Sequence, residues 1–170
     1  MTVQLRRATA DDIPLLAHWD EQPHVIAATG DDDVIDWADE LAHQDDVQEV
    51  LIAEVAGRPL GVVQIIDPAN ERTHYWGDIE QHLRAIDIWI GDAADLGHGH
   101  GTAMMREALE RCFAPPDVTA VVIDPLASNT DAQRFYVRLG FEPVGPRTFG
   151  NDDCLVHRLE RAVWASRRAR

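Results

Sequence analysis

The stretch LGHGHGT, Leu96 to Thr102, could do two kinds of chemistry. His98 and His100, two apart, could open a metal site. Gly97, Gly99 and Gly101, interleaved with them, would let a ligand lie against bare backbone without Cβ atoms in the way. A metal needs further ligands at compatible spacing, and neither flanking segment supplies another histidine or a nearby cysteine, so no metal is expected. An anion suits the stretch better. A strand, a glycine-rich turn and a helix in succession present free backbone N–H groups and the positive end of a helix. The spacing G-x-G-x-G-T matches neither G-x-G-x-x-G nor the GK[ST] phosphate loop, which disfavours a dinucleotide or nucleoside triphosphate.

Other residues could handle protons. In RAIDIWIG, alternation puts Ile86, Ile88 and Ile90 on one face and Ala85, Asp87 and Trp89 on the other. A carboxylate in so apolar a strand costs energy unless paired or functional. Burial would raise its pKa toward that of a base for an ammonium substrate; the alternative is a structural aspartate bonded to a neighbouring N–H. Asp124, before Pro125, is either a ligand or a turn cap. Tyr136 lies on a helical stripe that alone would make it a core aromatic. Tyr75 and Trp76, in a polar loop, would either wall a site or pack. Cys112 and Cys154 form no close pair and read as reduced thiols; Cys112 falls on a core stripe, a poor place for a nucleophile.

These residues need elements to position them. VQLRRAT reads as a strand, then Thr9 and Asp12 as a capping box, with Pro14 in the first turn of a helix whose inner stripe is Ile13, Leu16 and Ala17. A second helix is expected over Asp31 to Ala42, with Ile35, Ala38 and Leu41 or Ala42 inward. EVLIAEVAGRPLGVVQIID reads as a hairpin turning at Gly57–Pro59, and residues 68–83 as a loop. After the glycine-rich turn, TAMMREALERCF carries Met105, Ala108, Leu109 and Cys112 at helical spacing. TAVVIDP is a strand stopped by Pro125. SNTDAQRFYVRLG is a helix capped by Ser128 or Asn129, with Ala132, Phe135, Tyr136 and Leu139 inward and Gly140 ending it. FEPVG and DCLVHRL close the chain as strands, and the final RRAR reads as a frayed tail. The pattern is an α/β domain around one mixed sheet.

Composition excludes several partners. Thirty acids against fifteen bases give a net charge of −15, and every one of those bases is arginine. Such a surface repels nucleic acid and anionic membranes and attracts a cationic small molecule. No run of eighteen apolar residues occurs, and no signal-peptide pattern opens the chain. A single cytoplasmic domain is expected.

The segment LGHGHGTAMMREALERCF resembles the acyl-CoA pyrophosphate loop and helix of the GNAT superfamily of N-acetyltransferases. SNTDAQRFYVRLGF is similar to that family's N-x-x-A-x-x-x-Y-x-x-x-G-F signature at Asn129, Ala132, Tyr136, Gly140 and Phe141. The element order agrees over residues 3–160. The resemblance implies a GNAT domain over residues 1–160, with 161–170 as an arginine-rich tail. Its fold would be a mixed, mostly antiparallel twisted sheet flanked by helices, with a V-shaped acyl-CoA groove between two central strands. RAIDIWIG, CFAPPDV and IDP look like the branch of aminoglycoside 6′-N-acetyltransferases. The resemblance then assigns acetyl-CoA to Ile88, Trp89, Ile90, Leu96, Gly97, His98, Gly99, His100, Gly101, Thr102, Asn129 and Tyr136. Asp87 would receive the amine's proton, directly or through water. Tyr136 would protonate the departing thiolate, and a backbone N–H around Ile88 would hold the oxyanion. Asp87, Asp124, Asp152 and neighbouring Asp153, with Tyr75 and Trp76, would face the acceptor, most directly an aminoglycoside 6′-amine. A siderophore precursor or polyamine is the nearest alternative acceptor, and a non-catalytic acyl-CoA or antibiotic binder the alternative of another class. The chain would be a monomer or, by the same resemblance, a homodimer. Two positions depart from the pattern. Leu96 stands where the family often has Arg or Gln, and Ala28 and Thr29 stand where the aminoglycoside enzymes carry paired tryptophans.

Overall fold

A computed structural model describes residues 2–30 and 34–169. Seven strands form one sheet: β1 (Val3–Arg7), β2 (Gln48–Val55), β3 (Arg58–Ile66), β4 (Leu83–Ile90), β5 (Ala120–Ile123), β6 (Glu142–Phe149) and β7 (Asp152–Glu160). Their order across the sheet is β1-β2-β3-β4-β5-β7-β6, and β4–β5 is the one parallel pairing. Among the described residues six α-helices accompany them: α1 (Ile13–Asp20), α2 (Pro23–Thr29), α3 (Trp37–Ala42), α4 (His100–Phe113), α5 (Thr130–Leu139) and, after β7, α6 (Arg161–Arg168).

Local chemistry sets most of these boundaries. The Thr9 N–H donates to Asp12 Oδ2 at 2.8 Å, closing the expected capping box, and the Arg6 guanidinium grips both oxygens of Asp12. The β2–β3 hairpin turns at Ala56–Gly57 rather than Gly57–Pro59. Both residues have positive φ, 50° and 77°, the requirement of a two-residue turn that matches strand twist. Gly140, at φ 104°, ends α5, and the Phe141 N–H reaches back to Tyr136 O.

The sheet has two different faces. On one, Leu51, Val63, Ile65 and Ile86 pack beneath Met104, Met105, Ala108, Leu109 and Cys112 of α4, the stripe read from the sequence. The other face carries two separate apolar clusters, Val50, Ile52 and Val62 with Trp19 and Trp37, and Leu83, Ala85 and Val122 with Trp76 and Phe149. Gln64 of β3 and Asp87 of β4 are cross-strand partners, so they lie on this second face, between those clusters.

Three expectations change. The helix expected from Asp31 begins at Trp37, where Asp36 caps it by accepting the Asp39 N–H at 3.1 Å; residues 31–33 lie outside the described residues. Trp37 rather than Ala38 is buried, as is Trp19 rather than Ala17 in α1. Within the segment read as an arginine-rich tail, residues 161–170, Arg161–Arg168 form α6, which takes in the first two residues of the expected frayed RRAR and binds through side chains at its start and middle; residue 170 lies outside the described residues. Arg161 donates to the carbonyls of Phe113, Pro115 and Val118, and Trp164 stacks on Phe113 at 4.7 Å.

Candidate active site

The site begins where the sheet stops being paired. β4 and β5 share a register only over Leu83–Ala120, Arg84–Val121 and Ala85–Val122, whereas β4 stays paired with β3 as far as Ile90. Beyond Ala85 the two parallel strands part. The backbone edge of β4 through Ile88, Trp89 and Ile90 then has no partner in β5, which opens the V-shaped groove expected there. At its end, His24 donates Nε2–H to Ile90 O at 2.9 Å, tying α2 to β4.

At the end of the groove lie Leu96–Thr102. Gly97 and Gly99 have φ of 76° and 80°, and a Cβ built on either meets nothing within 4 Å. Both therefore face open space in a conformation that favours glycine. Gly99 is the N-cap of α4, and the first helical bond runs from the Ala103 N–H to Gly99 O. The N–H groups of His100, Gly101 and Thr102 lie ahead of that bond and have no helical acceptor, the arrangement that suits a phosphate. His100 is buried and His98 and Leu96 are exposed. Among the described residues no group of three or more His, Cys, Asp or Glu side chains could hold a metal.

A cavity of about 430 Å³ passes through the gap between β4 and β5. It joins residues of both sheet faces: Asp87 and Gln64 from one, Ile86, Ile88 and Tyr136 from the other. Among the described residues its lining holds six carboxylates, Asp36, Glu40, Glu71, Asp87, Asp124 and Asp152, and no arginine or histidine. Asn129 lines it as well while its side chain caps α5, accepting the Ala132 N–H at 3.1 Å.

Asp87 is exposed, contrary to the burial expected from its apolar strand. The divergence of β5 leaves its side of β4 open to the cavity. The half-buried carboxylate is instead Asp124, just past the end of β5. Burial first, and the charge of Asp87 second, push its pKa up to about 7, against the pull of the Tyr75 hydroxyl and Arg147. Main-chain bonds from the Ala127 N–H to Asp153 O and from the Leu155 N–H to Pro125 O anchor its segment to β7. Tyr136 is 9% exposed; burial, then Asp87 and Asp124, keep its phenol protonated well above its usual range.

Tyr75 and Trp76 both line the cavity, Tyr75 with its ring half exposed and Trp76 buried. Asp152 opens β7 and lines the cavity. Asp153 does not, its carboxylate accepting instead from the Thr148 hydroxyl. Cys112 is fully buried in the core and its thiol pKa is raised by burial, consistent with no role as a nucleophile. Sequence reading missed Gln64, 7% exposed, whose side-chain amide bonds to no described residue. The lone polar residue in GVVQIID is the signal that could have found it.

Comparison with known proteins agrees with this architecture. Residues 8–149 match the family model described as an acetyltransferase (GNAT) domain. The chain belongs to the GNAT family of acetyltransferases, enzymes that use acetyl-CoA as cosubstrate. It is 30% identical over 155 residues to the aminoglycoside N(6′)-acetyltransferase type 1 of Klebsiella pneumoniae, covering 86% of this chain and 77% of that protein. A kanamycin resistance protein of Rhizobium radiobacter is 38% identical over 79 residues, 46% of this chain and 73% of that one. The crystal structure of aminoglycoside acetyltransferase AAC(6′)-Ib with coenzyme A superposes with a TM-score of 0.86 at 28% identity, over 98% of this chain and 99% of that one. The same enzyme with coenzyme A and kanamycin gives 0.86 at 27% identity, with the same coverage. Among the described residues no helix is long and apolar enough to cross a membrane.

Proposed function

We propose that the chain transfers the acetyl group of acetyl-CoA to a primary amine of a polycationic small molecule, the 6′-amine of an aminoglycoside being the acceptor favoured. The observation that carries this reading is the cavity lining: among the described residues, six carboxylates and no arginine or histidine line an opening that leads through the sheet to Tyr136. Multiply charged ammonium groups are drawn to such a lining, and anions are repelled.

In this reading the backbone of Leu96–Thr102 and the start of α4 hold the pyrophosphate, with the unpaired edge of β4 alongside the rest of the cosubstrate. Asn129 helps shape the groove through its cap on α5. The acceptor arrives as an ammonium ion and must lose a proton to attack. Asp87 takes it, directly or through water, while Asp124 and Asp152 hold neighbouring cationic groups. The neutral amine attacks the thioester carbonyl, and a backbone N–H near Ile88 takes the developing negative charge. The phenol of Tyr136, kept protonated by its burial, gives its proton to the departing thiolate. No acyl-enzyme forms.

The test is steady-state release of free coenzyme A from acetyl-CoA with kanamycin, a 6′-hydroxyl aminoglycoside, a polyamine and a lysine derivative. Release with kanamycin but not with the 6′-hydroxyl compound is expected. Release with another amine alone would replace the acceptor and keep the chemistry. Asp87→Asn should lower kcat/KM by about a hundredfold or more with acetyl-CoA affinity unchanged, the usual scale for losing a general base. An unchanged rate would remove Asp87 from the mechanism.

A further inference from the structure

Tyr75 enters none of the steps above, yet its hydroxyl donates to Oδ2 of Asp124 at 2.7 Å. Its ring is 47% exposed but held. It stacks on Phe149 at 4.7 Å with the planes 9° apart, and meets Trp76 edge-on at 6.1 Å and 78°. Phe149 and Trp76 are buried and touch each other at 5.0 Å. Arg147 lies over the Phe149 ring at 4.7 Å and donates to Trp76 O. Two separate stretches, the loop before β4 and the β6–β7 hairpin, thus fix the direction of one phenol. Packing alone would be served by phenylalanine. The hydroxyl adds one thing: a donor on a carboxylate that faces a second carboxylate, Asp87.

The groups around Asp124 divide by sign. Asp87 of β4, with burial, disfavours its anionic form; Tyr75 and Arg147 of β6 favour it. Tyr136 of α5 and Cys154 of β7 also feel its charge, and both are held protonated, so neither competes as an anion.

We propose that Tyr75 is a positioning residue of the acceptor site: its hydroxyl, aimed by the Phe149 and Trp76 rings, orients the Asp124 carboxylate and favours its anionic form, making Asp124 the fixed anchor for an ammonium group of the acceptor. The proposal rests on the acceptor reading above for its ligand, and on the hydrogen bond and ring stack alone for its mechanism. Asp87 keeps the separate role of taking the proton of the reacting amine. Two carboxylates facing one cavity would otherwise tend to share a proton, and binding of a cation would have to displace it.

The test is Tyr75→Phe, which keeps the ring stack and removes the donor. In the free protein, the Asp124 carboxyl is titrated by carbon-13 NMR. Its midpoint should rise by about one pH unit, the scale of one hydrogen bond to a charged group at a partly exposed site. The acid limb of kcat/KM for the amine should move up by the same amount. At neutral pH the acceptor KM should rise about fivefold, while the acetyl-CoA KM stays fixed. In an Asp124→Asn background, Tyr75→Phe should change nothing further. An unmoved midpoint and limb, including an activity loss uniform across pH, would reduce Tyr75 to a packing residue and overturn the proposal. Phe149→Leu, which loosens the ring but keeps the hydroxyl, should move the midpoint in the same direction by less, and it replaces Tyr75→Phe if that variant does not fold. If the wild type turns over no aminoglycoside, the acceptor reading falls, while the NMR midpoint still decides the role of Tyr75.

Discussion

Asp87 and Asp124 look into one cavity from opposite surroundings: the first exposed on an open strand edge, the second half-buried under an aromatic ring. Such asymmetry separates the roles of two acids, because the exposed one exchanges protons readily while the enclosed one binds. Gln64 stands beside Asp87 on the neighbouring strand and lines the same cavity, and its amide bonds to no described residue. A buried amide without a protein partner is costly unless a ligand or water completes it. Gln64→Met, similar in volume, should therefore raise the acceptor KM about tenfold, the scale of one hydrogen bond, with the acetyl-CoA KM unchanged and the melting temperature equal or higher. Acceptor kinetics and a thermal melt check both halves, and a lower melting temperature with unaltered KM would mark Gln64 as structural.

At the scale of elements, the proposed cosubstrate cradle depends on a turn that only glycine occupies without strain. Gly99→Ala places a side chain at φ 80°, costing about 1 kcal/mol of backbone strain, and its methyl enters the space where a phosphate would lie. The acetyl-CoA KM should rise at least about tenfold while the acceptor KM holds, and isothermal titration with coenzyme A would show the same loss. This segment, from the β4 strand to the end of α5, is also where the sequence is most legible. Met105, Ala108, Leu109 and Cys112 announce a helix by spacing alone, and Asn129 and Gly140 mark the ends of the next. Other parts carry no such signal. The residues PHVIAAT of α2 have too few inward positions to show a period, and only Val25 is buried. α6 buries no residue fully and is held by Trp164 on Phe113 and by Arg161, contacts that exist only once α4 is in place. The exposure of Asp87 was hidden for a related reason: it depends on where β5 leaves β4, a property of two strands that neither shows by itself.

Over the whole molecule, charge and cavity act together. A net charge of −15 surrounds an opening lined with carboxylates, so the polycation proposed as acceptor would be drawn in from a distance and held on arrival. Raising salt from about 0.02 to about 0.5 M shortens the screening length several-fold and should raise the acceptor KM by about an order of magnitude. A neutral or singly charged amine should show little change, and an equal response from both would argue against electrostatic capture. All fifteen basic residues are arginine, so the chain offers no lysine amine to compete for the acetyl group it transfers.

The brief pairing of β4 with β5 has a consequence for the integrity of the molecule. Three rungs of backbone join the four strands that precede α4 to the three that follow it. The sheet is in effect two sheets sewn together at one end, with helices and side chains bracing the unsewn part. On the proposed placement, a cosubstrate lying in that opening would touch both halves where no strand does, a wedge that also splints the seam. Stability and turnover are then bound to the same few residues: lengthening the seam would strengthen the protein by closing the space in which it works.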